Sequence, residues 1–123
     1  MSDLHTIINK RWKNEKEVTT SHLQQCRSRG AFTFKIPDIG NTLKPFDAFV
    51  TYGWITYAIE YKYGRSKDVL SIIEPHQWYA LTLHQRNWWT SLIIHYYNNS
   101  IYYYWIENGW ANTYLIAEHE CLN

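Results

Sequence analysis

Cysteine, proline and glycine are scarce in this chain, at two, three and five among 123 residues. Cys26 and Cys121 stand apart, with no Cys-x-x-Cys or Cys/His ligand spacing. A zinc ribbon is therefore excluded, and two thiols are too few for a disulfide scaffold. A reducing, cytoplasmic setting is the expectation, with one disulfide as the alternative. No apolar run is long enough to span a membrane, since residues 92–106 are interrupted by His95, Asn98 and Asn99. The first sixteen residues are polar and charged, unlike a secretory signal. The six histidines show no HExxH or HxH spacing, which leaves a zinc hydrolase without support. There is no Gly-rich phosphate loop and no Ser-His-Asp or Cys-His arrangement. Repeats, low-complexity tracts and linkers are absent too, so residues 1–123 are expected to form a single domain.

What is present is apolar and aromatic. Hydrophobic residues make up 46% and charged residues 19%, enough for one core and against disorder. Seven Trp, eleven Tyr and four Phe suit a core and a homodimer interface, or a base-stacking surface. The pairs and runs Trp88-Trp89, Tyr96-Tyr97 and 102–104 exceed what so small a core needs, and a homodimer is the expected use. Net charge is only +1, but it is unevenly placed. Residues 1–46 hold eight Lys/Arg against four acids, and the remainder holds four against seven. If some of the acids hold divalent metal, the effective surface is more positive than the formal count.

Residues 13–29 lack Gly and Pro and are rich in Lys, Glu, Gln and Arg, which predicts a helix ending at Gly30. Val18, His22 and Cys26, with Leu23, form its less polar stripe. Residues 31–36 alternate as a short strand, and 37–45 read as loop. Residues 46–52 and 55–63 form two β-rich runs joined at Gly53-Trp54, a hairpin signal. Residues 64–68 are a polar break. Pro75 opens a second helix, extending to about Asn87. Residues 92–97 and 101–105 flank Asn98-Asn99-Ser100, a second hairpin. Residues 114–117 could add a short edge strand. The predicted fold class is α/β, a mixed sheet flanked by helices in the order α-β-β-β-α-β-β.

The third strand carries the chemistry. Strand alternation puts Glu60 and Lys62 on one face with Thr56 and Ala58, while Ile55, Tyr57, Ile59 and Tyr61 take the other. Ionisable groups are rare in so apolar a strand unless paired or working. Asp47, at the start of the preceding strand, lies across the hairpin from them. Two carboxylates, a backbone carbonyl (that of Tyr61) and one ammonium suit Mg²⁺-assisted phosphodiester hydrolysis. The competing reading is an interstrand ion pair of Lys62 with Asp47 or Glu60.

Pro45-Phe-Asp47 followed by Glu60-Tyr-Lys62, with the acids thirteen positions apart, resembles the PD-(D/E)xK nuclease superfamily, in particular archaeal and phage-type Holliday junction resolvases. The proline stands two places before the aspartate, so the motif is relaxed. Glu15-Lys-Glu17-Val18 resembles the E-x-E-aliphatic start of the resolvase first helix; that assigns a metal-ligand role to Glu15, with Glu17 its rival. Glu74-Pro-His-Gln77 resembles the E-H-Q start of the helix after the catalytic strand, placing Gln77 beside metal-bound water or phosphate, the alternative being a simple helix-start residue. The resemblance covers residues 15–106. It implies a restriction-endonuclease-like fold with Asp47, Glu60, Glu15 and the Tyr61 carbonyl as metal ligands. Lys62 would orient or stabilise the nucleophile, with Mg²⁺ as cofactor and Mn²⁺ as a substitute. Branched DNA would be the substrate, and a homodimer is expected because cutting two strands needs two sites. The setting would be the host cytoplasm if the source is a phage or virus.

Pro37-Asp38 spells the literal "PD" but sits in a loop well before the hairpin, so Asp38 is assigned to solvent. Lys10, Arg11, Lys13 and Lys16 form a basic N-terminal arm (about 1–14 and just beyond) that could track phosphates, as could Arg65 and Lys67 beyond the catalytic strand. A solvated charged segment is the competing reading for the arm. The rival functions are a restriction-like, homing or viral replication nuclease, and a non-catalytic DNA-binding protein of nuclease fold.

Overall fold

The first helix starts where the sequence offers a cap. Asn14 Oδ1 accepts the Glu17 N–H at 2.9 Å, and α1 runs Glu15–Ser28. It stops at Gly30, whose φ of +94° only glycine adopts freely, with Gly30 N–H bonded to Arg27 O and Ala31 N–H to Cys26 O. In this computed structural model, residues 12–38, 44–64, 72–98, 100–107 and 112–120 are described. After α1 come β1 (Phe32–Lys35), β2 (Ala48–Tyr52), β3 (Ile55–Tyr63), α2 (Pro75–Arg86), β4 (Thr90–Tyr97), β5 (Ser100–Glu107) and β6 (Asn112–Glu120).

The six strands pair in chain order. Every neighbouring pair is antiparallel except β3 and β4, which are parallel and joined through α2. This is the mixed sheet with flanking helices that the sequence pattern predicts. The edge strand differs in length. A four-residue segment is expected over 114–117, whereas β6 spans nine residues and follows β5 with one irregularity between Tyr103 and Tyr104.

Period-two alternation in β3 sorts the core into two layers. Tyr57, Ile59 and Tyr61 pack with Val18, Leu23 and Cys26 of α1 and with Leu92, Ile94 and Tyr96 of β4. Ala58 and Ile93 on the reverse face pack with Leu81 of α2, Phe46 and Ile106. The helical stripe read as Val18, His22, Leu23 and Cys26 is the buried side of α1, joined by Thr19. His22 Nδ1 meets the Tyr61 hydroxyl across that layer, so the polar member of the stripe is hydrogen-bonded where it is buried. The aromatic surplus needs correcting. Tyr96, Tyr102 and Tyr103 are 4%, 6% and 0% exposed and fill the core, because β4 and β5 are covered on both faces; Trp88 remains 96% exposed. No helix among the described residues is long and apolar enough to cross a membrane.

Both hairpin turns use left-handed residues. Gly53 and Trp54, at φ +58° and +72°, join Tyr52 to its partner Ile55, and Asn98 at φ +52° begins the β4–β5 turn. Two positive φ values in a two-residue turn define type I′, which favours glycine and asparagine. Trp54 is 96% exposed, so it meets that steric cost with almost no packing in return. Trp54→Gly is expected to raise the unfolding free energy by up to about 1 kcal/mol, measured by urea titration. A loss of stability would show that the indole makes contacts worth more than the strain.

Candidate active site

The β2–β3 register places Ala48 opposite Ile59, so Asp47 falls beside Glu60 at the end of the pair. Backbone pairing continues through this point: Asp47 N–H donates to Ile59 O at 3.0 Å, and Ile36 N–H donates to Asp47 O at 2.8 Å. The Asp47 side chain turns back along β3 and accepts the Tyr61 N–H on Oδ2 at 2.8 Å. Its Oδ1 lies 3.1 Å from Lys44 Nζ.

Glu60 is 2% exposed and Asp47 8%. Glu60 Oε2 receives Gln77 Nε2 at 2.8 Å and lies 3.3 Å from Lys62 Nζ. Glu60 Oε1 is buried and has no hydrogen-bond donor. Gln77 sits at the third position of α2, and its Oε1 accepts the Glu74 N–H at 3.3 Å. Gln77 therefore acts as the helix-start residue of the simpler reading, and its amide also reaches Glu60 on β3.

Glu15, Asp47, Glu60, Lys62 and Gln77 line one cleft of about 480 Å³, together with Lys16, Thr19, Lys35, Asp38 and Lys44. The two glutamates of α1 are thereby separated. Glu15 faces the cleft, whereas Glu17 Oε1 accepts the Lys13 N–H at 3.0 Å, away from it. Of the basic residues expected to meet phosphate, Lys16 is at the cleft and Lys13 is exposed before α1. Lys10, Arg11, Arg65 and Lys67 lie outside the described residues. Lys44 and Lys35 were not singled out by the sequence; loop position and a lone lysine on a short strand give no periodic signal. Asp38 is exposed, as expected, but it is also tied to Lys44 Nζ at 2.8 Å.

Burial and like charge dominate the electrostatics. Desolvation, then the Asp47 charge, push the Glu60 carboxyl up to about 9; Lys62 only partly opposes this. A protonated Glu60 can also donate to Asp47, which favours the neutral form further. Glu15 is raised in the same direction, by desolvation first and Asp47 second. Burial works against the Lys44 charge, but its contacts with Asp38 and Asp47 outweigh that and leave its pKa raised. Among the described residues, no three His, Cys, Asp or Glu side chains are already gathered as a metal cage. The donor chemistry nevertheless fits a hard divalent cation: carboxylate oxygens lining one cleft, one of them buried without a donor.

No family model and no curated protein sequence matches the chain. Among solved structures, it is similar to Hjc, a Holliday junction resolvase of the hyperthermophilic archaeon Archaeoglobus fulgidus. The two share 14% identity over 74% of each chain, with a TM-score of 0.52. At that identity the likeness is one of fold: the chain has the restriction-endonuclease-like fold of the resolvase.

Glu60 gives the site a pH signature. Its folded pKa lies above the unfolded value near 4.5, so the folded state retains a proton that the unfolded chain loses. Stability from this group is fully present below about pH 4.5 and is lost as pH rises toward 9. Glu60→Gln, measured without divalent ions, is expected to raise the melting temperature more at pH 8.5 than at pH 5. An equal shift at both values would mean that Glu60 is ionised throughout.

Proposed function

We propose that the cleft is the active site of a metal-dependent endonuclease that hydrolyses DNA phosphodiester bonds, with four-way junctions as its preferred substrate. The observation that carries this is the convergence of Glu15, Asp47, Glu60, Lys62 and Gln77 on one cleft, in a fold shared with a junction resolvase. Surface ion pairing alone does not account for it, because Glu60 is buried with one oxygen lacking a donor.

Asp47, Glu60, Glu15 and the Tyr61 backbone carbonyl would hold Mg²⁺, with Mn²⁺ as a substitute. When bound, the metal supplies Lewis-acid stabilisation of the phosphate and lowers the pKa of an attacking water. The residues around it have separate tasks. Asp47 is held by the Tyr61 N–H, which fixes one carboxylate oxygen before any ligand arrives. Gln77 holds the Glu60 carboxylate through Oε2. Lys62, 3.3 Å from Glu60 Oε2, remains close enough to the acids to orient the nucleophilic water or stabilise its hydroxide form. Lys16 and Lys35 supply positive charge at the cleft for the DNA backbone. The basic arm through residue 14, with Arg65 and Lys67, would extend that track.

A single domain acting as a homodimer would supply two such clefts for the two strands of a junction. The exposed Trp88 and Trp89 are apolar surface available for pairing. A host-cytoplasmic setting, including that of a phage or virus, would suit this activity. A restriction-like, homing or replication nuclease would use the same cleft on linear DNA.

Asp47→Ala is expected to lower cleavage at least about 10²-fold, the scale of losing one aligned transition-state stabiliser, while far-UV circular dichroism stays unchanged. Cleavage at the parental rate would remove the proposed site. With the parental protein and Mg²⁺, four-way junctions are expected to be cut faster than linear duplex of the same sequence. Equal rates would leave a nuclease but sink the resolvase assignment.

A further inference from the structure

Lys44 sits where a metal would compete. Its Nζ bridges Asp47 Oδ1 at 3.1 Å and Asp38 Oδ1 at 2.8 Å. The Asp47 and Lys44 side chains are 12% and 18% exposed, whereas the Asp38 side chain is 78% exposed. Asp47 Oδ2 is already taken by the Tyr61 N–H. Each oxygen of Asp47 already holds one donor, so a divalent ion that takes Oδ1 must share it with an ammonium group already bound there. Two cations at one poorly solvated carboxylate repel strongly, so the ammonium must give way. Its second partner, Asp38, lies on the solvent side of the pair and offers it another anion.

We infer that Lys44 is a tethered counter-cation that neutralises Asp47 in the metal-free protein and passes to Asp38 when a divalent metal binds. Positions 38 and 44 then set the metal affinity of the site without contributing ligands. The inference rests on the nuclease reading, because it takes Asp47 as a metal ligand. It accounts for the compensation of buried Asp47 without metal, beside a Glu60 that is driven toward protonation. Lys44 is here a positioning residue: it acts on the metal through Asp47 and Asp38.

The test is calorimetric titration of Mn²⁺, without DNA, into the parental protein, Lys44→Met, Asp38→Asn and the double variant. Lys44→Met is expected to tighten Mn²⁺ binding about tenfold, the scale of removing one competing charge contact at a half-buried site. It should also lower the melting temperature of the metal-free protein and enlarge the rise that Mn²⁺ produces. Asp38→Asn is expected to weaken Mn²⁺ binding several-fold while Lys44 is present, and by less than about twofold once Lys44 is Met. That loss of effect separates a partner acting through Lys44 from a remote negative charge. Lys44→Gln serves if the methionine variant does not fold. Mn²⁺ binding that is unchanged or weaker in the Lys44 variant overturns the inference, as does an Asp38 effect of equal size in both backgrounds. If the parental protein binds Mn²⁺ and cuts DNA while Lys44→Met binds no more tightly, only this inference falls. If no variant binds Mn²⁺, the metal-site reading falls with it.

Discussion

Asp47 and Glu60 occupy neighbouring positions on paired backbone, and burial at 8% and 2% exposure strips both carboxylates of most of their water. Two anions so placed must each find compensation or give up charge. Asp47 keeps the stronger set of partners, a backbone N–H on one oxygen and an ammonium on the other. Glu60 has a side-chain amide and Lys62 on one oxygen and no donor on the other, and it is the one driven toward protonation. The surrounding lysines, the start of α2 and the turn of Asp47 toward β3 all answer to this one conflict. A divalent cation would resolve it with no added anion, which is why the arrangement makes chemical sense as a site.

The sheet makes that conflict tolerable. β3 carries Glu60 and Lys62 on one face, while the other buries Tyr57, Ile59 and Tyr61 against α1. Ser91 Oγ, on the same sheet face as Glu60, donates to Leu81 O at 2.6 Å, tying α2 to the strand next to β3. The parallel register sets Glu60 opposite Ile93 and Lys62 opposite His95. His95 is fully buried, with its Nε2 3.1 Å from Gly64 O, so the end of β3 is held just beyond Lys62. Desolvation lowers the His95 pKa, so a neutral ring, rather than a second cation, flanks Lys62. The site is thus strained electrostatically but supported by packing on both faces of its strand.

Legibility in the sequence followed the strength of the local geometric rule. Glu60 and Lys62 could be placed on one face from period-two alternation alone. Asp47 could be set near them because Gly53-Trp54 permits only a short turn, and the observed Tyr52–Ile55 pairing has that register. Pro75 fixes where α2 begins, but the role given to Gln77 came from the resemblance of Glu74-Pro-His-Gln77 to the resolvase helix start. Glu15 and Glu17 could not be told apart by spacing alone; the Asn14 cap separates them by drawing the Glu17 carboxylate back to the Lys13 N–H. Lys44 and the Asp38 ion pair were invisible, since irregular backbone offers no period from which to infer direction. Tyr96, Tyr102 and Tyr103 were misread as surplus because composition does not reveal which positions of β4 and β5 are buried. Residues 114–117 understated β6 for a related reason: edge pairing is decided by the neighbouring strand more than by intrinsic propensity.

Gln77 ties the start of α2 to the acidic cleft. Its amide oxygen accepts from the Glu74 backbone N–H, which leaves the NH₂ group to face Glu60. The orientation of the amide is therefore fixed by helix capping, with no contribution required from substrate. A glutamate at this position could accept the same N–H but could not donate to Glu60, and it would add a third anion to a buried pair. An alanine would remove the amide donor from Glu60 Oε2 and leave Lys62 as the remaining contact of that oxygen. Only a residue with both an acceptor and a donor on one rigid group meets both demands. By engaging Glu60 Oε2, that donor leaves Oε1 as the oxygen that still lacks a partner, and under the proposed function that oxygen is the one an incoming cation would meet.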